Sequence, residues 1–146
     1  RMLVDIFKVM EIGSSALKAQ TIRMNVISSN LANMETTQTP EGGPYKKKSV
    51  VFTSTRPDFR QELEQSLQNE AQGVRVDRIM SDSRQGKKVY DPSHPDADPE
   101  GYVEKPNINL AEEMTDMMKA KGSYEANVVS IKSAQRMALK ALEIGR

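Results

Sequence analysis

Apolar residues recur every seven positions at the start of the chain, at Leu3, Met10, Leu17, Met24 and Leu31, and no proline falls before Pro40. A heptad stripe of that length predicts an amphipathic helix over residues 4 to 33. At 1.5 Å per residue it would be about 45 Å long. Ile6, Phe7, Ile12, Ala16, Ala19 and Ile27 widen the stripe, and the small run Gly13-Ser14-Ser15-Ala16 lets a partner backbone approach.

The last third repeats the period with 3-4 spacing through Leu110, Met114, Met117, Lys121, Tyr124, Val128, Ile131, Gln135, Ala138 and Leu142. Asn109 is the expected N-cap, with Glu112 three residues on and Glu113 and Asp116 near the positive helix end. Gly145 is the expected stop. Met114, Met117 and Met118 resemble an adaptable binding surface, although helix core is the commoner use of such a face.

Residues 36 to 106 have another texture. All 7 prolines of the chain lie there and helical period is lost. Ser49 to Ser54, Val74 to Met80 and Lys87 to Tyr90 are short runs with β-branched residues, bounded by Gly and Pro, and predict strands. Asp58 to Asn69 carries Phe59, Leu63 and Leu67 at four-residue spacing and reads as a short helix or a polar connector. The expected fold is mainly α with a small β insert. Residues 1-35 and 107-146 would pair as a coiled coil around polar occupants such as Ser14, Thr21, Ser28, Lys121 and Gln135, and 36-106 would form the insert.

Composition narrows the function classes. With 146 residues the chain has room for about one domain. Only 37% of its residues are apolar, 7 are aromatic and none is Trp, so a deep small-molecule pocket is not expected. Twenty-one basic residues against 20 acidic ones leave a formal charge of +1, spread evenly, which provides no field for nucleic acid. The absence of cysteine removes disulfides and thiolate chemistry. Apolar runs reach only three residues, as in Val50-Val51-Phe52, so neither a membrane span nor a cleaved signal is expected. Arg1 before Met2 does not read as a natural start.

Candidate chemistry is sparse. The single His94 sits in the loop Tyr90-Asp91-Pro92-Ser93-His94-Pro95-Asp96, and its neighbour Ser93 lacks the turn that would expose a nucleophile. Asp96, Asp98, Glu100 and Gly101 follow the opening of a calcium loop, but Asn107 stands where the closing Glu belongs and Pro95, Pro99 and Pro106 deny flanking helices. A solvated acidic turn fits better. Lys46 to Lys48 read as a solvated strand edge. No cofactor or metal follows. Two long helices with unsatisfied stripes and only a small insert ask for burial against neighbours, and a repeated heterologous contact builds a ring or a helical tube.

Ser15-Ala16-Leu17 with Ala19-Gln20, Arg23-Met24-Asn25-Val26 and Ser29-Asn30-Leu31-Ala32-Asn33 resemble the N-terminal signature of bacterial flagellar rod and hook axial proteins. The likeness continues in Pro40-Glu41-Gly42-Gly43-Pro44-Tyr45, in the loop from Tyr90-Asp91-Pro92 to Gly101-Tyr102-Val103, in Pro106-Asn107-Ile108-Asn109 and in Ser123-Tyr124-Glu125-Ala126-Asn127. Met34 and Gly122 depart from it, standing where the family usually has a small residue and an arginine. Residues 46 to 88 match only loosely.

The resemblance implies a structural subunit of the flagellar proximal rod, not an enzyme, that assembles into a helical tube and carries torque across the periplasm. It implies other rod subunits, a rotor-side junction protein and the distal rod as partners, and passage through the flagellar type III export apparatus without a cleaved signal. Leu3, Met10, Leu17, Met24, Leu31, Leu110, Met114, Met117, Tyr124, Val128, Ile131 and Leu142, with Asn30 and Asn33 of the signature, are the expected assembly interface. The alternative is a coiled-coil adaptor or a needle-type component of an export apparatus.

Overall fold

The structure, a computed structural model, describes residues 2–54 and 73–145. Helix α1 covers Met2–Ala32, strands β1, β2, β3 and β4 cover Lys48–Ser54, Val74–Ser81, Lys87–Tyr90 and Tyr102–Lys105, and helix α2 covers Leu110–Ile144. β1 pairs with β2 and β3 with β4, as two separate two-stranded sheets. The chain is therefore mainly helical with a small β insert, and its first three described strands begin within one residue of the predicted positions. Strand β4 goes unpredicted, because Tyr102–Lys105 becomes extended by pairing with Lys87–Tyr90 across the intervening loop. The segment Asp58 to Asn69 lies outside the described residues.

Two compact units divide the chain. Unit one takes Arg1–Ile22, Phe52–Asp77 and Ala120–Arg146, and unit two takes Arg23–Val51 and Arg78–Lys119. In unit one Ile6, Ala19, Ala120 and Ala134 are buried. Gly13 brings the two helices together there: a Cβ on it would stand 2.8 Å from Ile131 Cγ1, so only glycine leaves room for that side chain. The Ser15 hydroxyl donates to Ile12 O at 2.7 Å and accepts from Val74 N at 3.0 Å, which ties the start of β2 to α1. At the other end of α2, Gly145 N donates to Ala141 O at 3.1 Å and closes the last turn.

Unit two buries Val26, Ile27, Val103 and Ile108. Its hairpin is antiparallel with Lys87 opposite Lys105, Val89 opposite Val103 and Tyr90 opposite Tyr102. The two tyrosine rings meet edge to face at 5.3 Å, a favourable cross-strand aromatic pair. Gly101 closes the hairpin loop with φ of 88°, where a Cβ would also stand 2.9 Å from the Tyr90 ring. Asn109 caps α2 as expected, its Oδ1 accepting from Glu112 N at 3.2 Å.

Candidate assembly surfaces

Burial on α1 is centred away from the predicted heptad. Leu3, Met10, Leu17, Met24 and Leu31 are half-buried, whereas Ile6, Gly13, Ala19, Val26, Ile27 and Asn30 are buried. The seam runs three residues further along the same heptads, where Gly13 and Ala19 permit a closer backbone approach than Met10 and Leu17 would. On α2 the shift is larger. Met117, Tyr124, Val128 and Ile131 are half-buried, but Leu110, Met114 and Leu142 are 50%, 53% and 57% exposed, and the buried positions are Glu113, Ala120 and Ala134. Small residues again win over large ones. Ser14, Thr21, Ser28, Lys121 and Gln135 are all exposed, so they do not dilute the seam as the pattern suggested.

A polar knot stands beside the apolar packing of unit two. Asn30 and Glu113 are each 1% exposed. The Asn30 amide reads both backbone groups of Lys48: Nδ2 donates to Lys48 O at 2.8 Å, and Oδ1 accepts from Lys48 N at 2.9 Å. Tyr45 OH donates to the same Oδ1 at 3.0 Å, and Nδ2 also donates to Glu113 Oε2 at 3.2 Å. Glu113 Oε1 lies 2.9 Å from Lys47 Nζ, which reaches Glu112 Oε1 at 3.5 Å. Burial works against the Lys47 charge, but the Glu113 carboxylate, aided by Glu112, outweighs it and raises the lysine pKa above its ordinary 10.5. Arg23 Nη2 stands 3.9 Å from Asp116 Oδ1, so within this unit the helices run antiparallel. Asn33 has a different task. Its Nδ2 donates to Ser29 O at 2.8 Å and its Oδ1 accepts from Thr36 Oγ1 at 3.2 Å, which secures the end of α1.

Lys47 is thus an ion-paired, largely covered residue, in correction of its reading as solvated strand edge; Lys46 and Lys48 are exposed. Glu113 was missed because an acid near a helix N-terminus reads as a favourable charge at a dipole. The available signals were its place in the 3-4 series Glu113, Met117, Ala120, Tyr124 and the likeness of Glu113-Met114 to the closing helix of rod and hook proteins.

The acidic turn bonds mainly to its own loop. Asp98 Oδ1 accepts from Glu100 N and Tyr102 N, each at 2.9 Å, and Asp96 Oδ2 accepts from Thr37 Oγ1 at 2.6 Å. His94 Nδ1 accepts from Asp96 N at 3.0 Å, so the imidazole serves the turn. The Ser93 hydroxyl donates to Asp91 Oδ1 at 2.7 Å and lowers the Asp91 pKa. At the neighbouring turn the Arg84 guanidinium holds the Asp82 carboxyl down to about 2. A cavity of about 260 Å³ beside the hairpin is lined mainly by polar side chains, Thr37, Lys88, Asp96, Asp98 and Glu104 among them. Among the described residues no group of three or more His, Asp or Glu is arranged to hold a metal ion, and no helix is long and apolar enough to cross a membrane.

Comparison with known proteins identifies what these surfaces belong to. The family "Flagella basal body rod protein" matches residues 10–38, and "Flagellar basal body rod FlgEFG protein C-terminal" matches residues 100–144. The flagellar basal-body rod protein FlgC of Bacillus subtilis is 42% identical, over 96% of this chain and 98% of its own length. FlgC of Borreliella burgdorferi is also 42% identical, over 97% and 98%, and FlgC of Salmonella typhimurium is 37% identical, over 99% and 98%. The chain belongs to the FlgC family of flagellar basal-body rod proteins. As a member of that family it is a structural subunit of the flagellar rod, and its relatives are structural proteins, not enzymes. An adaptor or needle component is not favoured. The two matched segments cover most of α1 and of α2, with Asn30 in the first and Glu113 in the second, while Tyr45, Lys47 and Lys48 of the knot lie between them.

Proposed function

We propose that this chain is a proximal-rod subunit that repeats and co-assembles into a helical tube in the periplasm, with residues 1-35 and 107-146 as an inner helical layer and 36-106 as an outer brace. The observation that carries the reading is the set of large apolar side chains left open on the helices, Phe7, Met114 and Leu142 among them. Fully burying such a side chain is worth about 1.5–3 kcal/mol, so neighbouring copies and other rod subunits gain by covering them. Torque then passes through packed helix contacts that resist twist, and no chemical step is needed. The rotor-side junction protein and the distal rod are the partners at either end, and the flagellar type III export apparatus delivers the chain.

The test is Met114→Asp together with Leu142→Asp in motile cells. Both residues are exposed, so the isolated chain should keep its helix content while rods fail to form and swimming stops. Normal rods and swimming, with the variant incorporated, would overturn the reading.

A further inference from the structure

Helix α2 carries two overlapping 3-4 frames that share Leu110, Met117, Tyr124, Ile131 and Ala138. One adds Met114, Lys121, Val128, Gln135 and Leu142; the other adds Glu113, Ala120, Asn127, Ala134 and Ala141. They are related by turning the helix about its axis by about 50°, half of the 100° between successive residues. Near the start of the helix hydrophobic burial alone favours the first frame, which would cover Met114 in place of Glu113, although further on it would also cover Lys121 and Gln135. The chain adopts the second, with Glu113 1% exposed and Met114 53% exposed.

We propose that the knot of Asn30, Glu113 and Lys47 selects the smaller frame, and so determines which face α2 offers to other subunits. Only the use of that face rests on the assembly reading above; the selection is a property of the single chain. Glu113 Oε2 accepts from Asn30 Nδ2 at 3.2 Å, and Oε1, buried and without a hydrogen bond, is ion-paired with Lys47 Nζ at 2.9 Å. At the 5–6 Å radius of a helix with its side chains, a turn of about 50° carries the carboxylate roughly 5 Å sideways, out of reach of both partners. Asn30 would lose an acceptor at a buried site and Lys47 its carboxylate. A buried ion pair adds little net stability, but it is strict about geometry, and a single polar residue in a helix seam is an attested way to fix register. Glu113 is therefore a positioning residue: it keeps Met114 outside.

The chain has no cysteine, so single thiols report each face cleanly. Maleimide labelling is followed on the full chain carrying either Met114→Cys or Ala120→Cys, where the first should react fast and the second slowly. Adding Glu113→Leu should reverse the order, each rate moving about tenfold, as when the native frame falls to a tenth of its former population. Glu113→Gln, which keeps an acceptor for Asn30, should restore the parent order. Unchanged labelling in a Glu113→Leu chain of normal helicity would overturn the proposal, because packing of the small residues would then be choosing the frame. Loss of helicity in both Glu113→Leu and the double variant Glu113→Leu/Lys47→Met would overturn it too, since no second frame would exist to receive the helix. Reversed labelling with undisturbed rod assembly would uphold frame selection and count against the assembly reading instead.

Discussion

Two amides on the same helix show how differently the two units are held. Asn30 in unit two is buried with every donor and acceptor of its amide engaged, by Lys48, Tyr45 and Glu113. Gln20 in unit one has a buried Oε1 that finds no hydrogen-bond donor among the described residues. Unit two is aligned by directional polar contacts, which tolerate only one arrangement. Unit one is aligned by closeness, with Gly13 under Ile131 and alanines at Ala19, Ala120 and Ala134. A polar group in a helix seam is therefore a constraint where it is satisfied and a cost where it is not.

The largest expected effect separates those amides. Asn30→Leu takes their Asn30 partner from Lys48 N, Lys48 O and Glu113 Oε2, while the Tyr45 hydroxyl keeps Ser29 Oγ at 3.1 Å, and at about 1–3 kcal/mol for an unsatisfied buried group the loss should be about 3 kcal/mol or more. Gln20→Met should shift stability the other way, by about 1 kcal/mol, because it removes an unpartnered atom at similar volume. Urea midpoints of the two variants check this, and losses of similar size would break the contrast between the units.

Next come the glycines. Gly13→Ala gains up to about 1 kcal/mol of helix propensity but forces Ile131 to move, an overpacking cost of about 1–3 kcal/mol, so a net loss near 1 kcal/mol is expected. Gly122 faces open space, with nothing within 4 Å of where a Cβ would stand, and Gly122→Ala should gain up to about 1 kcal/mol. Thermal melts of the pair sharpen the claim that close approach, not glycine as such, organises unit one.

The smallest effect is one of pH and belongs to unit two alone. The Lys47 pKa is raised in the folded chain, so its contribution is fully present below the ordinary 10.5 and is lost as pH rises through the higher folded value. Stability should decline above pH 10.5 more steeply in the parent chain than in Lys47→Met, as read from urea midpoints across that range. Parallel declines would mean that the Lys47 and Glu113 charges are not coupled.

Legibility followed the range of each interaction. The pattern led directly to both helices, since a proline-free heptad run and the Asn109 cap act within a few residues of themselves. The strands beginning at Lys48, Val74 and Lys87 were legible from β-branched runs between breakers. Strand β4 was not, because Tyr102–Lys105 becomes a strand by pairing with Lys87–Tyr90 across the intervening loop. Asn30 and Asn33 entered the candidate interface through a family signature, and the structure gives each a task inside the chain: Asn30 joins β1 to both helices, and Asn33 secures the end of α1.

By itself, then, the sequence determined where the chain is helical, where it is extended, and to which family it belongs. The faces were another matter. Along α2, two 3-4 frames share half of their residues and hold equally many apolar ones, and the larger side chains of Met114 and Leu142 belong to the frame that stays outside. Which frame faces inward depends on contacts with Asn30 and Lys47, 83 residues away in one case, and on how closely a backbone can pass over Gly13. Periodicity records how a helix meets itself; only tertiary structure brings together the distant groups that decide which side of it is the inside.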